Sequence, residues 1–281
     1  MSRDHRRQIV NRVMEGVAVL SAVVTLLPLA LILAFLIYQG ISSITWDFFT
    51  QMPAPVGEAG GGMANGIVGT LILIALASLI GVPVGIAAGV YVAENGHTRL
   101  AWGARFLADV LNGVPSIVIG VFAYTLLVLP MRSFSAVAGG FALGIMMLPV
   151  VLRTTEEMLK LVPASLREAA LALGIPQWKV TVQIALRTAR AGIITGVMLA
   201  VARIGGETAP LLFTAFGNQF WSTRLDEPIA ALPLQIFTYA ISPYDTWHAQ
   251  AWAGALVLVS LILVISVVAR TASRGHFGVA R

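Results

Sequence analysis

SLREAALALGIPQWKV (Ser165–Val180), running straight into TVQIALRTARAGIITGVMLAVARIGGETAP (Thr181–Pro210), is the stretch that decides the fold. Its first half is a short Ala/Leu run punctuated by Gly174 and Pro176. Its second half opens an apolar run, Ala191–Phe216, that carries Arg203 and Glu207 inside it. Arg203 lies about 18 Å past Ala191 at 1.5 Å rise per residue, close to the middle of a bilayer. A charged side chain there costs at least about 2.5–3.5 kcal/mol on insertion scales, so it marks a functional position or a structural ion pair.

Working outward, the rest of the chain is equally apolar. Of 281 residues, 58% are hydrophobic and 11% charged, where a soluble domain carries about 25% charged. The uncharged runs are long enough to span, which takes about 20 residues. Six spans are predicted: Val17–Tyr38, Gly66–Val92, Val110–Leu129, Ser135–Leu152, Ala191–Phe216 and Ala251–Ala269. The fold class expected is an all-α integral membrane protein of six transmembrane helices. The first run is too long for the core of a signal peptide and has no small-x-small cleavage site, so an uncleaved span is expected. Three segments organise the chain: residues 1–65 (polar tail, first span, outer loop), 66–270 (five spans with a hydrophilic stretch at 153–190) and a basic tail at 271–281.

Lys and Arg set the orientation. With the N-terminus inside, the cytoplasmic segments hold fifteen of the eighteen, the outer loops only Arg132 and Arg224, and a span Arg203. Both termini are therefore expected in the cytoplasm. A net charge of +5 reads as basic cytoplasmic loops rather than a nucleic-acid footprint. The chain has no Cys, which excludes disulfides and thiol chemistry. His5, His97, His248 and His276 are scattered without metal-ligand spacing, so no metal is assigned. No Gly-rich loop ending in Gly-Lys-Ser/Thr is present to cradle ATP, so any energy must come from another subunit. Residues 94–109 read as a polar loop. Ile229–Ile241, thirteen residues with Pro233 inside, is too short to span and reads as an interfacial or re-entrant segment.

Gly81, Gly85 and Gly89 recur every fourth residue on the second span, as do Gly192 and Gly196 on the fifth. That spacing lets helix backbones approach closely, within the subunit or between subunits. Ser165 and Glu168 stand as S-x-x-E before the Ala/Leu run, the pattern of a capping box. Gly174 suits a left-handed helix end and Pro176 the first turn of the next helix. The product is helix, sharp turn, helix: an ordinary loop helix, or a small-sided one shaped to lie in a partner's groove. Glu207 follows Arg203 at i+4, so the two can pair on one helix face. A guanidinium matches the oxygens of phosphate. A carboxylate beside it repels a fully ionised anion, accepts a hydrogen bond from a protonated phosphate, or holds the arginine closed until substrate competes.

Glu168–Gly174, EAALALG, resembles the EAA loop of permease subunits of type I (MetI-like) ABC importers, although Leu186-Arg187 stands where that family usually has Leu-Pro. ARIGGETAPLLFTAFGNQFWS (Ala202–Ser222), with LREAALALG and WKV, is similar to the phosphate branch of that family, the PstA-type permeases. The resemblance implies a cytoplasmic coupling helix in which Glu168, Ala169, Ala170 and Gly174 meet the ATPase. It also implies a phosphate pathway through Arg203, Glu207 and Thr208, with Arg153 at the inner end of the fourth span. Implied partners are a paralogous permease (PstC-like), an ATPase dimer (PstB-like) that uses ATP and Mg, and an extracytoplasmic phosphate-binding protein (PstS-like). Such a chain is a transport subunit in the bacterial inner membrane, surrounded by lipid, with no cofactor and no catalytic residue of its own. The alternatives are a permease for sulfate or molybdate, a self-contained secondary carrier, and a non-transporting scaffold.

Overall fold

The computed structural model describes residues 3–55, 58 and 60–274. In order, the helices are α1 (Arg3–Gly40), α2 (Trp46–Thr50), α3 (Ala64–Glu94), α4 (Arg99–Gly113), α5 (Ser116–Met131) and α6 (Ala136–Lys160). There follow α7 (Ala164–Ala172), α8 (Gln177–Gly205), α9 (Ala209–Leu212), α10 (Leu232–Ala240) and α11 (Asp245–Arg274). Among the described residues five helices are long and apolar enough to cross a membrane, and α4 with α5 forms a sixth, bent pair. The expected count of six is reached if that bent pair counts as one span.

The boundaries differ at two places. The basic tail is not coil: α1 begins at Arg3 and continues without a break into the first span. Residues 275–281 of the expected basic C-terminal tail lie outside the described residues. The polar loop at 94–109 is largely helix, since Thr98 caps α4 by accepting from the Ala101 N–H at 3.2 Å. Arg105, Asp109 and Asn112 fall on one side and Leu100, Phe106, Leu107 and Val110 on the other, a helical period that a search for uniformly apolar runs passes over. The chain then bends by 106° at Val114–Pro115. Proline disfavours helix at the residue before it, so the third span starts at Ser116 rather than Val110.

Helix α6 is the centre of the bundle, and the glycine stripes explain why. Gly81, Gly85 and Gly89 of α3 face Met147, Val151 and Thr155 of α6. A methyl at each would stand 2.9, 2.7 and 2.6 Å from those residues' Cβ atoms. Both helices advance in step, so α3 and α6 run parallel, as second and fourth spans must. On the other flank Gly192 abuts Met158 and Gly196 abuts Thr154. There one helix advances as the other retreats, so α8 is antiparallel to α6. The stripes serve packing within the subunit. Leu73, Leu143, Met147 and Ile204 fill the core where the three helices meet.

The segment around Pro233 is a buried arm. Ile229, Ala230 and Ala231 are buried before α10 begins, and α10 packs between α3 and α11. Several of its polar groups find partners inside the bundle, as an apolar surrounding demands, although Gln235 Oε1 and the Tyr239 hydroxyl are buried without one. Leu232 N–H donates to Thr70 Oγ1 at 2.8 Å, Gln235 Nε2 to Asn65 Oδ1 at 2.9 Å, and Asn65 Nδ2 to the Asn218 carbonyl at 3.0 Å. Helix α1 touches the remainder only near its end, where Gly40 meets the Trp252 carbonyl and Phe35 packs edge-on against Trp252.

Candidate functional site

Arg203 sits two residues before the end of α8. Gly205 ends the helix and Gly206 follows it, and glycines cost helix about 1 kcal/mol each. The i+4 geometry expected for Glu207 is therefore lost, and no ion pair joins Arg203 to Glu207. Of the roles left open for Glu207, a closed pair with Arg203 is not the one this structure adopts. Glu207 and Thr208 are half-buried in the turn leading to α9, which packs on α5 through Pro210 against Gly120.

Extending the α6–α8 register sets Arg203 level with about Met147, halfway along α6. The guanidinium is exposed on the subunit's surface, not sealed between helices. Its hydrogen-bond partner is Asn112 at the end of α4, whose Oδ1 accepts from Nη1 at a long 3.4 Å.

Arg153 lies about 9 Å further along α6, six residues at 1.5 Å each. Its Nε and Nη2 donate to the two oxygens of Asp109, and its Nη1 to Glu156 Oε2 at 3.1 Å. Glu156, only 1% exposed, also accepts from Arg105 Nε at 2.7 Å and Lys160 Nζ at 2.5 Å. Arg105 in turn donates to the carbonyls of Gly96 and Val92 at 2.8 and 3.0 Å, closing the end of α3. Burying a carboxylate is unfavourable unless it is paired; three cations make it tolerable. Sequence reasoning singled out Arg153, read Asn112 within Asn112–Ser116 as a helix start in preference to a pathway residue, and missed Asp109, Glu156 and Arg105. Their partners are up to 91 positions away in the chain, and the spacing of Arg99, Arg105 and Asp109 does not announce them.

Helix α7 carries the coupling motif. It starts two residues earlier than the capping-box reading allows, with Pro163 at its N-cap and no side-chain cap. Ser165 is therefore inside the first turn, and the expected capping box does not form, because the fixed φ of proline already sets the helix entry. The C-terminal end matches expectation. Gly174 takes φ +79°; its N–H donates to the Leu171 carbonyl at 2.9 Å, and that of Ile175 to Ala170 at 3.2 Å. This is the paired Schellman closure. Pro176 caps α8 rather than entering it.

Glu168, Ala169 and Gly174 are exposed, whereas Ala170 is buried against the bundle. Leu173 (81% exposed) and Trp178 present apolar surface to the outside. Arg167 reaches inward, pairing with Glu94 at the end of α3 and donating to the Leu159 carbonyl of α6 at 3.1 Å. One side chain thus ties α7 to two of the three central helices.

A bundle of long apolar helices, with an exposed arginine level with its middle and a short helix tied to one end, is the architecture of a multi-pass membrane protein. The chain belongs to the family of binding-protein-dependent transport system inner membrane components, matched over residues 81–275. Among its relatives, the phosphate transport system permease protein PstA of Xylella fastidiosa (strain Temecula1 / ATCC 700964) is 49% identical over 94% of this chain and 93% of that one. PstA of Yersinia pestis is 47% identical over 96% and 93%, and PstA 1 of Mycobacterium tuberculosis (strain CDC 1551 / Oshkosh) 37% over 94% and 88%. The fold is shared with a chain of the inward-facing MetNI methionine ABC transporter, at TM-score 0.60, 18% identity, 76% coverage of this chain and 96% of that one.

Proposed function

We propose that this chain is the permease subunit of an ATP-driven inorganic phosphate importer and forms half of a two-subunit translocation pathway. The observation that carries the reading is Arg203: a guanidinium halfway along the bundle, exposed on the face of a lone subunit, in a chain 49% identical to a PstA protein. An arginine used only for packing would be buried against a carboxylate. A planar fork of donors facing an opening suits an oxyanion.

Phosphate arrives from an extracytoplasmic binding protein at the outer loops, 39–65 and 217–250. It passes Arg203 between this subunit and a paralogous permease, with Glu207 and Thr208 at the turn beside it. An ATPase dimer on the cytoplasmic side grips α7 at Glu168, Ala169, Gly174 and the exposed Leu173. Closure of that dimer pulls on α3 and α6 through Arg167. Both termini face the cytoplasm, in keeping with the Lys and Arg distribution.

The test is ATP-driven uptake of labelled phosphate into vesicles holding the purified complex and binding protein. Uptake that needs ATP and resists excess sulfate and molybdate supports the reading. Uptake abolished by sulfate points to another oxyanion, and uptake with no ATPase present to a secondary carrier.

A further inference from the structure

The last turn of α4 covers both arginines. Asp109 and Asn112 are three residues apart and share a helix face; Asp109 takes Arg153 and Asn112 takes Arg203. The two covers are of different strength. Asn112 offers Arg203 a neutral carbonyl oxygen at 3.4 Å. Asp109 offers Arg153 a carboxylate, both of whose oxygens accept from one edge of the guanidinium. That edge is the one a tetrahedral oxyanion would use, with two of its oxygens in the same places.

The neighbouring carboxylate does not share this character. Glu156 is buried and keeps Arg105 and Lys160 whether or not Arg153 is present. Asp109 is 59% exposed and meets no cation except Arg153 among the ion pairs of the described residues. Exposed on one side and bound on the other, it can leave into water at small cost. The turn that carries it ends at Gly113, immediately before the Val114–Pro115 bend, so any change of angle there swings both covers together.

We propose that Asp109 is a positioning residue of the pathway, a resident carboxylate that occupies the anion edge of Arg153 until phosphate displaces it. This deepens the transport reading above and rests on it. Arg203 is then the position filled first, and Arg153 the position filled only by exchange with Asp109. Competition of this kind raises the apparent dissociation constant by the factor by which the closed pair outweighs the open one. For a solvent-accessible bidentate pair that factor is about two- to fivefold.

The experiment compares wild type, Asp109→Asn, Asp109→Ser and Asp109→Glu in the assembled permease–ATPase complex in lipid nanodiscs, without binding protein. Equilibrium binding of labelled inorganic phosphate is measured at low and high KCl, and ATP-driven uptake is measured on the same preparations. The Asn and Ser variants are expected to bind phosphate about two- to fivefold more tightly at low salt, and Glu is expected to restore the wild-type value. The difference should narrow in high salt, since the exposed pair is screened. Equal affinity in all four, weaker binding in Asn and Ser, or failure of both to assemble would overturn the proposal and leave Asp109 a structural partner. A wild-type complex that takes up no phosphate with ATP would instead overturn the transport reading itself.

Discussion

Replacing Glu156 with Ala tests whether the charged cluster at the end of α6 holds the bundle together. The carboxylate is 1% exposed and touches three cations, so its loss can be worked through partner by partner. Arg105 loses a charge-assisted hydrogen bond at 2.7 Å, worth about 2 kcal/mol, but keeps two backbone carbonyls. Arg153 keeps Asp109 and loses about 1 kcal/mol. Lys160 is 56% exposed, turns to water, and loses at most about 1 kcal/mol. The expected cost is about 4 kcal/mol, within the range for breaking a buried pair. At about 2 °C per kcal/mol for a chain of this length, the melting midpoint should fall by about 8 °C. Glu156→Gln, which keeps the shape and loses the charge, should cost about half as much. The assay is the fraction of protein still monodisperse by size-exclusion chromatography after heating in mild detergent. A fall below about 2 °C for the Ala variant would refute the reasoning. It would mean that desolvating the carboxylate already cancels what its partners return.

Other outcomes follow from the same structure. Gly89→Leu drives a side chain into Thr155 and the Leu152 carbonyl of α6, and should cost about 1–3 kcal/mol or more, read as lost yield of folded protein; unchanged yield would mean the α3–α6 contact is loose. Arg203→Ala should abolish phosphate uptake while the complex still assembles, and Arg203→Lys should recover only part of it because an ammonium cannot fork. Full uptake in Arg203→Ala would make the residue dispensable. Leu173→Asp, at an exposed position at the end of α7, should release the ATPase in pull-down without lowering the permease's thermal stability. Gly174→Ala should cost about 1 kcal/mol through its left-handed backbone and lower the ratio of transport to ATP hydrolysis.

Much of this architecture was legible in the sequence because membrane packing leaves coarse signals. Long apolar runs gave the spans, four-residue glycine spacing gave the seams around α6, and Gly174 gave the sharp end of α7. Signals failed where two local rules competed. Ser165 and Glu168 form a good capping pattern, yet Pro163 sets the helix start first. Arg203 and Glu207 have pairing distance on an ideal helix, yet Gly205 and Gly206 end that helix between them. Helix α4 was hidden because its charges make it look like a loop until its period is read. Of the contacts of Arg153, Glu156 stands at a local i+3 spacing, but the long-range one could not be read. Asp109 is 44 positions away, and nothing local distinguishes a carboxylate that turns toward an arginine from one that turns toward water.

The seam between α3 and α6 has a mechanical consequence. Backbone lies directly on side chain along two turns and more, so neither helix can roll or slip past the other without collision. The two form a single slab, and a force applied at the α7 end through Arg167 moves both helices together. Bending is left to the joints that lack such a seam, the elbow at Val114–Pro115 and the glycine pair that closes α8. A motor below the membrane would therefore work a hinge, not a piston.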